Sequence, residues 1–274
     1  MSKTYSHKQR REFTDANRIA WDEAAPVHAK SNQPRLLEAF SKPGHNTLDP
    51  HCLDRLNEIG FQGKSVAQLG CNNGRELLSL KNLGAGLCVG FDASAAFIEH
   101  AEALARVSGH TDATFVVTDI YDIPADKAGP YDIVMTTIGV LGWMPNLEEF
   151  FEILDRLTRP GGHVFIEESH PVLMMYEPGE GADPSYLKYS YFKEDPWVET
   201  DGLDYYEDKK YDSHPLYSFH HTLADVMMAG LKVGFGLQHF AELGFNISNF
   251  CADLEHAQAR PPMGMTMVWR KGSG

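Results

Sequence analysis

Ser65-Val66-Ala67-Gln68-Leu69-Gly70-Cys71-Asn72-Asn73-Gly74-Arg75-Glu76-Leu77-Leu78-Ser79-Leu80 decides how the rest of the chain is read. A short apolar run ends in a turn of Gly, Asn and Gly, and the first turns of a helix follow. Gly70 and Gly74 carry no Cβ, and Asn tolerates positive φ, so the backbone can curl tightly and let a ligand approach. The helix then aims its free N–H groups into the turn. Strand, tight turn and helix in this order is how doubly wound α/β folds hold a nucleotide-like cofactor.

The same unit repeats outward from this stretch. Strands are expected at Ser65–Leu69, Gly86–Phe91, Ala113–Thr118, Tyr131–Thr137 and His163–Glu167, with helices at Arg75–Leu83, Ala95–Val107 and Leu147–Leu157. Tyr131–Thr137 is continuously apolar, as a central parallel strand should be. A helix at Thr222–Leu231 and two late strands near Phe235–Ala241 and Met263–Trp269 complete the pattern. The expectation is an α/β fold, a doubly wound, seven-stranded, mostly parallel sheet with helices on both faces.

Four segments follow from this pattern. Residues 1–60 read as an N-terminal helical lid, with helices at Glu12–Lys30, at Gln33–Phe40 opened by Pro34, and at Asp49–Ile59 closed by Gly60. Residues 61–168 form the cofactor-binding core, and residues 222–274 return to it. Between them, 169–221 is an insertion rich in Asp, Glu, Pro and Tyr; eight of the eleven tyrosines lie between Ser169 and Ser218. So much aromatic content argues for a β-rich cover after strand five rather than for disorder, with an irregular strand at Tyr186–Phe192.

Composition narrows the function. A formal net charge of −14 over 274 residues argues against a sequence-independent grip on nucleic acid. The basic run Lys3–Arg11 reads as a solvated tail. No stretch has the length of a membrane span, and the polar N-terminus lacks the apolar segment of a signal peptide. The four cysteines form no CxxC pair, so free thiols in a reducing, cytoplasmic setting are expected. The sequence does not fix an oligomeric state.

The dinucleotide pattern G-x-G-x-x-G fails here, because Asn72 and Arg75 stand at its second and third glycines, and no Walker pattern is present. Gln68-Leu69-Gly70-Cys71-Asn72-Asn73-Gly74 instead resembles the first motif of class I S-adenosylmethionine-dependent methyltransferases, an acid followed by G-x-G-x-G. Gln68 departs from the acid and Asn72 from the middle glycine. Four further features match in order: Asp92 after Val89-Gly90-Phe91, Asp119-Ile120 after Val117-Thr118, the segment Ile138–Trp143, and the turn Arg159-Pro160-Gly161-Gly162. The resemblance covers Ser65–Glu167 well and the two terminal strands weakly.

The resemblance implies S-adenosylmethionine as cofactor and S-adenosylhomocysteine as product. It implies a cofactor site of Gln68, Gly70, Asn72, Gly74, Asp92, Asp119, Ile120 and Ile138, with Asp92 on the ribose hydroxyls and Asp119 and Ile120 at the adenine. The segments Asn17–His28 and Glu168–Leu173 look like a bacterial branch acting on small molecules, in which the first helix is a lid; Trp21 and His28 are then candidate lid contacts. Methyl transfer needs a base only when the acceptor arrives protonated. Glu168, His170 and the pair His220-His221 stand where open α/β sheets place their sites, and His170 is the candidate catalytic base. Trp143, Glu168, Tyr191 and His221 are candidate substrate contacts, and Trp143, Tyr176, Tyr191 and Trp197 a candidate aromatic wall. A metal cluster of His220, His221 and Asp225 lacks a visible third ligand, and no metal is expected. Transfer to an O, N or S atom of a small molecule leads. A protein or nucleic-acid methyltransferase and a non-catalytic cofactor binder are the alternatives, the latter because of Gln68 and Asn72.

Overall fold

In the computed structural model, residues 3–177, 186–204 and 210–273 are described. The chain opens with one long helix, α1 (His7–Phe40), followed by α2 (Pro50–Ile59). The alternating core then runs β1 (Val66–Leu69), α3 (Arg75–Asn82), β2 (Cys88–Asp92), α4 (Ala95–Val107), β3 (Thr114–Val117), β4 (Tyr131–Thr136), α5 (Leu147–Leu157) and β5 (Thr158–Ser169). Beyond it come the short strands β6 (Trp197–Glu199) and β7 (Leu216–Ser218), then α6 (Leu223–Lys232), β8 (Gly236–Leu243) and β9 (Gly264–Arg270). The large sheet has seven strands in the order β3-β2-β1-β4-β5-β9-β8, and β9 runs antiparallel to both its neighbours.

Alternation along the strands builds a core on each face. Val66, Ile133, Met135 and Phe165 point toward Cys52 and Leu56 of α2 and Leu77 and Leu80 of α3. Ala67, Leu69, Val134, Val164 and Ile166 point the other way, toward Phe150, Leu154, Val226 and Ala229 of α5 and α6. The strand order reverses between β1 and β4, so the crevice lies at the β1 turn.

Three expectations are corrected. Glu12–Lys30 and Gln33–Phe40 are one helix, with Pro26 and Pro34 inside it. A helix-interior proline costs about 3 kcal/mol, but burial of Ala24, Ala25, His28, Asn32, Leu36 and Phe40 carries α1 through both positions. Second, α2 packs on the sheet with the core helices and is no part of a lid. Third, Tyr186–Phe192 is not a strand: Leu187 makes one isolated bridge to Tyr176, and the insertion's two-stranded sheet is β6 with β7.

A 34-residue helix is about 50 Å long, and α1 uses that length to cross the crevice. At its start, Tyr5 and the side chain of Asn146, just before α5, exchange hydrogen bonds of 2.8 and 3.0 Å. Near its end, Leu36 and Phe40 pack with Leu78 of α3 and Leu104 of α4. In between, Asn17 pairs with both backbone groups of Tyr217 on β7, at 2.8 and 2.7 Å. Helix and insertion thus make one cover, sharing an apolar cluster of Ala20, Ala24, Leu203 and Leu216.

Candidate active site

The β1–α3 turn needs its glycines for space as well as for φ. Gly70 has φ 64°, and a Cβ there would stand 2.6 Å from Val140 Cγ2. Gly74 has φ 73°, and its Cβ would meet Phe115 at 2.7 Å and Ala101 at 2.9 Å. Asn72, at the position of the missing middle glycine, adopts φ 48°, a conformation Asn accepts better than most residues. Its side-chain oxygen accepts from the Asn73 N–H at 2.8 Å. The departure from glycine therefore leaves the turn's shape intact.

Asp92 closes β2 facing this turn. One carboxylate oxygen accepts from the Asn72 N–H at 2.7 Å and the other from the Ser94 N–H at 2.9 Å. Burial pushes its pKa up to about 6 against those hydrogen bonds, and Asp22 adds to the rise. A carboxylate offers about four acceptor sites, more than these backbone bonds use, and a ribose diol needs such spare acceptor capacity. Asp119 caps the short helical turn Ile120–Asp122 by accepting from the Tyr121 N–H at 2.9 Å, and Ile120 beside it is buried. Ile138 lies at the mouth, 37% exposed, just beyond β4.

At the base of the turn, Gln68 is fully buried. Its Nε2 donates to Thr137 Oγ1 at 3.1 Å and faces Glu76 Oε2 at 3.4 Å, while its Oε1 has no hydrogen-bond partner. A buried acceptor without a partner costs about 1–3 kcal/mol, and a bound donor would relieve it.

The cover closes over this crevice. Trp21 of α1 sets its ring edge-on to Phe97 of α4 at 5.8 Å and to Trp143 beyond β4 at 5.7 Å, spanning the two sides. Asp22 accepts from the Ser94 hydroxyl at 2.7 Å, two residues from Asp92. His28 bonds through Nε2 to the Leu203 carbonyl of the insertion at 2.8 Å. Asp22, Glu76 and Thr137 escaped sequence reading: acids in helices are commonplace, and a threonine just past a strand carries no pattern.

Three of the catalytic and acceptor-side candidates, Glu168, His170 and His221, are hydrogen-bonded to backbone groups. His170 accepts from the Val172 N–H through Nδ1 at 3.2 Å and pairs through Nε2 with Glu242 at 3.1 Å. Its Nδ1 thus caps the turn that follows, and its Nε2 faces the Glu242 carboxylate. Glu168 is buried and accepts from the N–H groups of Gly139 (2.7 Å), Leu141 (3.1 Å) and Ser169 (2.9 Å). Burial raises its pKa to about 7, and its hydrogen bonds hold the segment after β4. His221 is buried, its Nε2 lies 2.8 Å from the Met144 carbonyl, and burial lowers its pKa to about 4, so it is a neutral clip.

The expected aromatic wall divides. Trp143 joins Trp21 under the cover, whereas Tyr191 and Trp197 both pack on His220, at 5.2 and 6.2 Å. The Tyr191 hydroxyl accepts from the Leu223 N–H at 2.9 Å, which ties it to the start of α6. Tyr176 packs in a separate cluster with Leu173 and Cys251. Asp225 forms a capping box with Thr222, so His220, His221 and Asp225 do not converge. Among the described residues no three His, Cys, Asp or Glu side chains gather in a metal-binding group, and no helix is long and apolar enough to cross a membrane. The four cysteines are buried, free thiols.

A doubly wound sheet with a glycine turn at its reversal point and a carboxylate ending the next strand defines an α/β protein built to hold a nucleoside-bearing cofactor. Residues 66–162 match the family described as a methyltransferase domain. The chain is 34% identical over 131 residues to the ubiquinone biosynthesis O-methyltransferase of Vibrio parahaemolyticus, covering 47% of this chain and 54% of that one. It is 31% identical over 170 residues to the ribosomal protein L11 methyltransferase of Marinobacter nauticus, covering 58% and 52%. The chain spans about half the length of these curated relatives. An S-adenosylmethionine-dependent methyltransferase from Mesorhizobium loti has the same fold, with TM-score 0.58 at 19% identity over 80% of this chain and 96% of that one. In sequence, residues 66–162 are similar to methyltransferase domains, and the chain shares its fold with S-adenosylmethionine-dependent methyltransferases.

Proposed function

We propose that the protein transfers the methyl group of S-adenosylmethionine to an O, N or S atom of a small molecule. The observation that carries this reading is Asp92, whose two oxygens are fixed by backbone N–H groups of the turn and of α4 at the edge of the crevice. The left-handed turn at Gly70, Asn72 and Gly74 and the unpartnered Gln68 Oε1 fit the same cofactor. When bound, it supplies an activated methyl group on a sulfonium. The chain's part is to bind, orient and exclude water, which accounts for most of the acceleration of an in-line displacement.

A small acceptor is supported by the cover. Trp21, Trp143 and the β7 segment close over the crevice, and Phe219 and His221 clip the insertion's return to Gly142 and Met144. Glu168 fixes the segment 139–141 from below. A macromolecular acceptor would need that cover to open. The test is turnover of methyl-labelled S-adenosylmethionine with phenols, thiols, amines and acids below 500 Da or so, beside ribosomal protein as a macromolecular arm. Label on a small acceptor supports the reading; label on protein alone, or on nothing, overturns it.

A further inference from the structure

The base of the crevice collects acceptors. Gln68 Oε1 is fully buried and unpartnered, Glu76 Oε2 lies 3.4 Å from Gln68 Nε2, and Thr137 Oγ1 lies 3.1 Å from the same nitrogen. Glu76 belongs to the first turn of α3, and its side chain is 19% exposed. Its other oxygen, Oε1, pairs with Arg75 Nε at 2.8 Å. An amide oxygen, a hydroxyl and a carboxylate at one spot, with a guanidinium on the carboxylate's far side, suit a zwitterion: acceptors for an ammonium and a cation for the adjoining carboxylate.

Resting on the cofactor assignment above, we propose that Glu76, in place of Gln68, supplies the negative charge that recognises the ammonium of the cofactor's amino-acid end. Gln68 Oε1 accepts from that ammonium, and Arg75 faces its carboxylate. The residue at position 68 then follows from Glu76. An acid there would set two carboxylates within contact distance in a buried place, where like charges cannot both stay ionised. Gln68 instead donates toward Glu76 and Thr137, which holds both side chains and leaves Oε1 for the ligand. Moving the charge from the buried strand to the partly exposed helix also lowers its desolvation cost.

The test is calorimetric titration of the wild type, Glu76→Gln and the reciprocal pair Gln68→Glu/Glu76→Gln. The ligands are S-adenosylhomocysteine, its desamino analogue and methylthioadenosine. Glu76→Gln should weaken S-adenosylhomocysteine by about tenfold or more, and leave the desamino analogue and methylthioadenosine within about twofold. The reciprocal pair, with one carboxylate restored, should recover most of the loss. Equal weakening of all three ligands, or no change in S-adenosylhomocysteine, would overturn the assignment of Glu76. If the wild type binds neither S-adenosylhomocysteine nor methylthioadenosine, the cofactor reading itself fails, a distinct result.

Discussion

Asp92 separates binding from architecture at the scale of single residues. Its carboxylate must be ionised to accept from two ribose hydroxyls, and burial raises its pKa to about 6. As pH falls through that value the group takes up a proton and loses acceptor capacity. S-adenosylhomocysteine affinity should hold above pH 7 and fall below about 6, and Asp92→Ala should remove this dependence at a cost of about 1–3 kcal/mol. Titration calorimetry between pH 5 and pH 8 would show it; a flat profile in the wild type would exclude Asp92 from the ribose. His170 is the contrasting residue. His170→Ala removes a cap on the Pro171–Met175 turn and the tether to Glu242. It should lower thermal stability by about 1–2 kcal/mol while leaving cofactor affinity unchanged. An unshifted melting temperature with lost turnover would instead place His170 in the chemistry.

At the scale of elements, the cover is a joint device. Asn17 replaces a strand neighbour for Tyr217 by satisfying its N–H and C=O together, so α1 and β7 are held by one side chain. Asn17→Ala leaves two partly buried backbone groups to water, at about 1–3 kcal/mol locally. Hydrogen exchange should speed up at 197–199 and 216–218 and stay unchanged in β1, β4 and β5. Uniform exchange across the molecule would show that the cover is no separate unit. The elements also show what sequence can reveal. The parallel strands were legible because two-faced burial leaves uninterrupted apolar runs, as in Tyr131–Thr137. The continuity of α1 was not, because Pro34 is a strong local stop and the packing of Leu36 and Phe40 that overrides it is tertiary. The cover strands were hidden for a related reason. Three-residue strands carry no period, and the aromatic stretch at Tyr186–Phe192 imitated one. In the turn, Gly70 and Gly74 were readable because a left-handed backbone dictates their type, whereas Asp92 rested on the family resemblance. Glu168, His170 and His221 stand out by chemistry and by their position past strand five or at the insertion's return, and the structure ties all three to backbone groups.

For the whole molecule, the sheet reversal between β1 and β4 fixes where a ligand lies, and α1 with the insertion fixes how much of it water can reach. Gln68 and Asn72 depart from the usual motif, yet Asn72 keeps the turn's left-handed backbone and Gln68 sits beside a carboxylate, so the crevice retains both shape and charge. The most direct measurement is calorimetric titration of the intact protein with S-adenosylhomocysteine and, in parallel, NADH. One-to-one binding of S-adenosylhomocysteine with affinity on the order of micromolar, and none of NADH, is the expected result. Binding of NADH, or of neither ligand, would contradict it, leaving the fold in place and the site assigned to another cofactor.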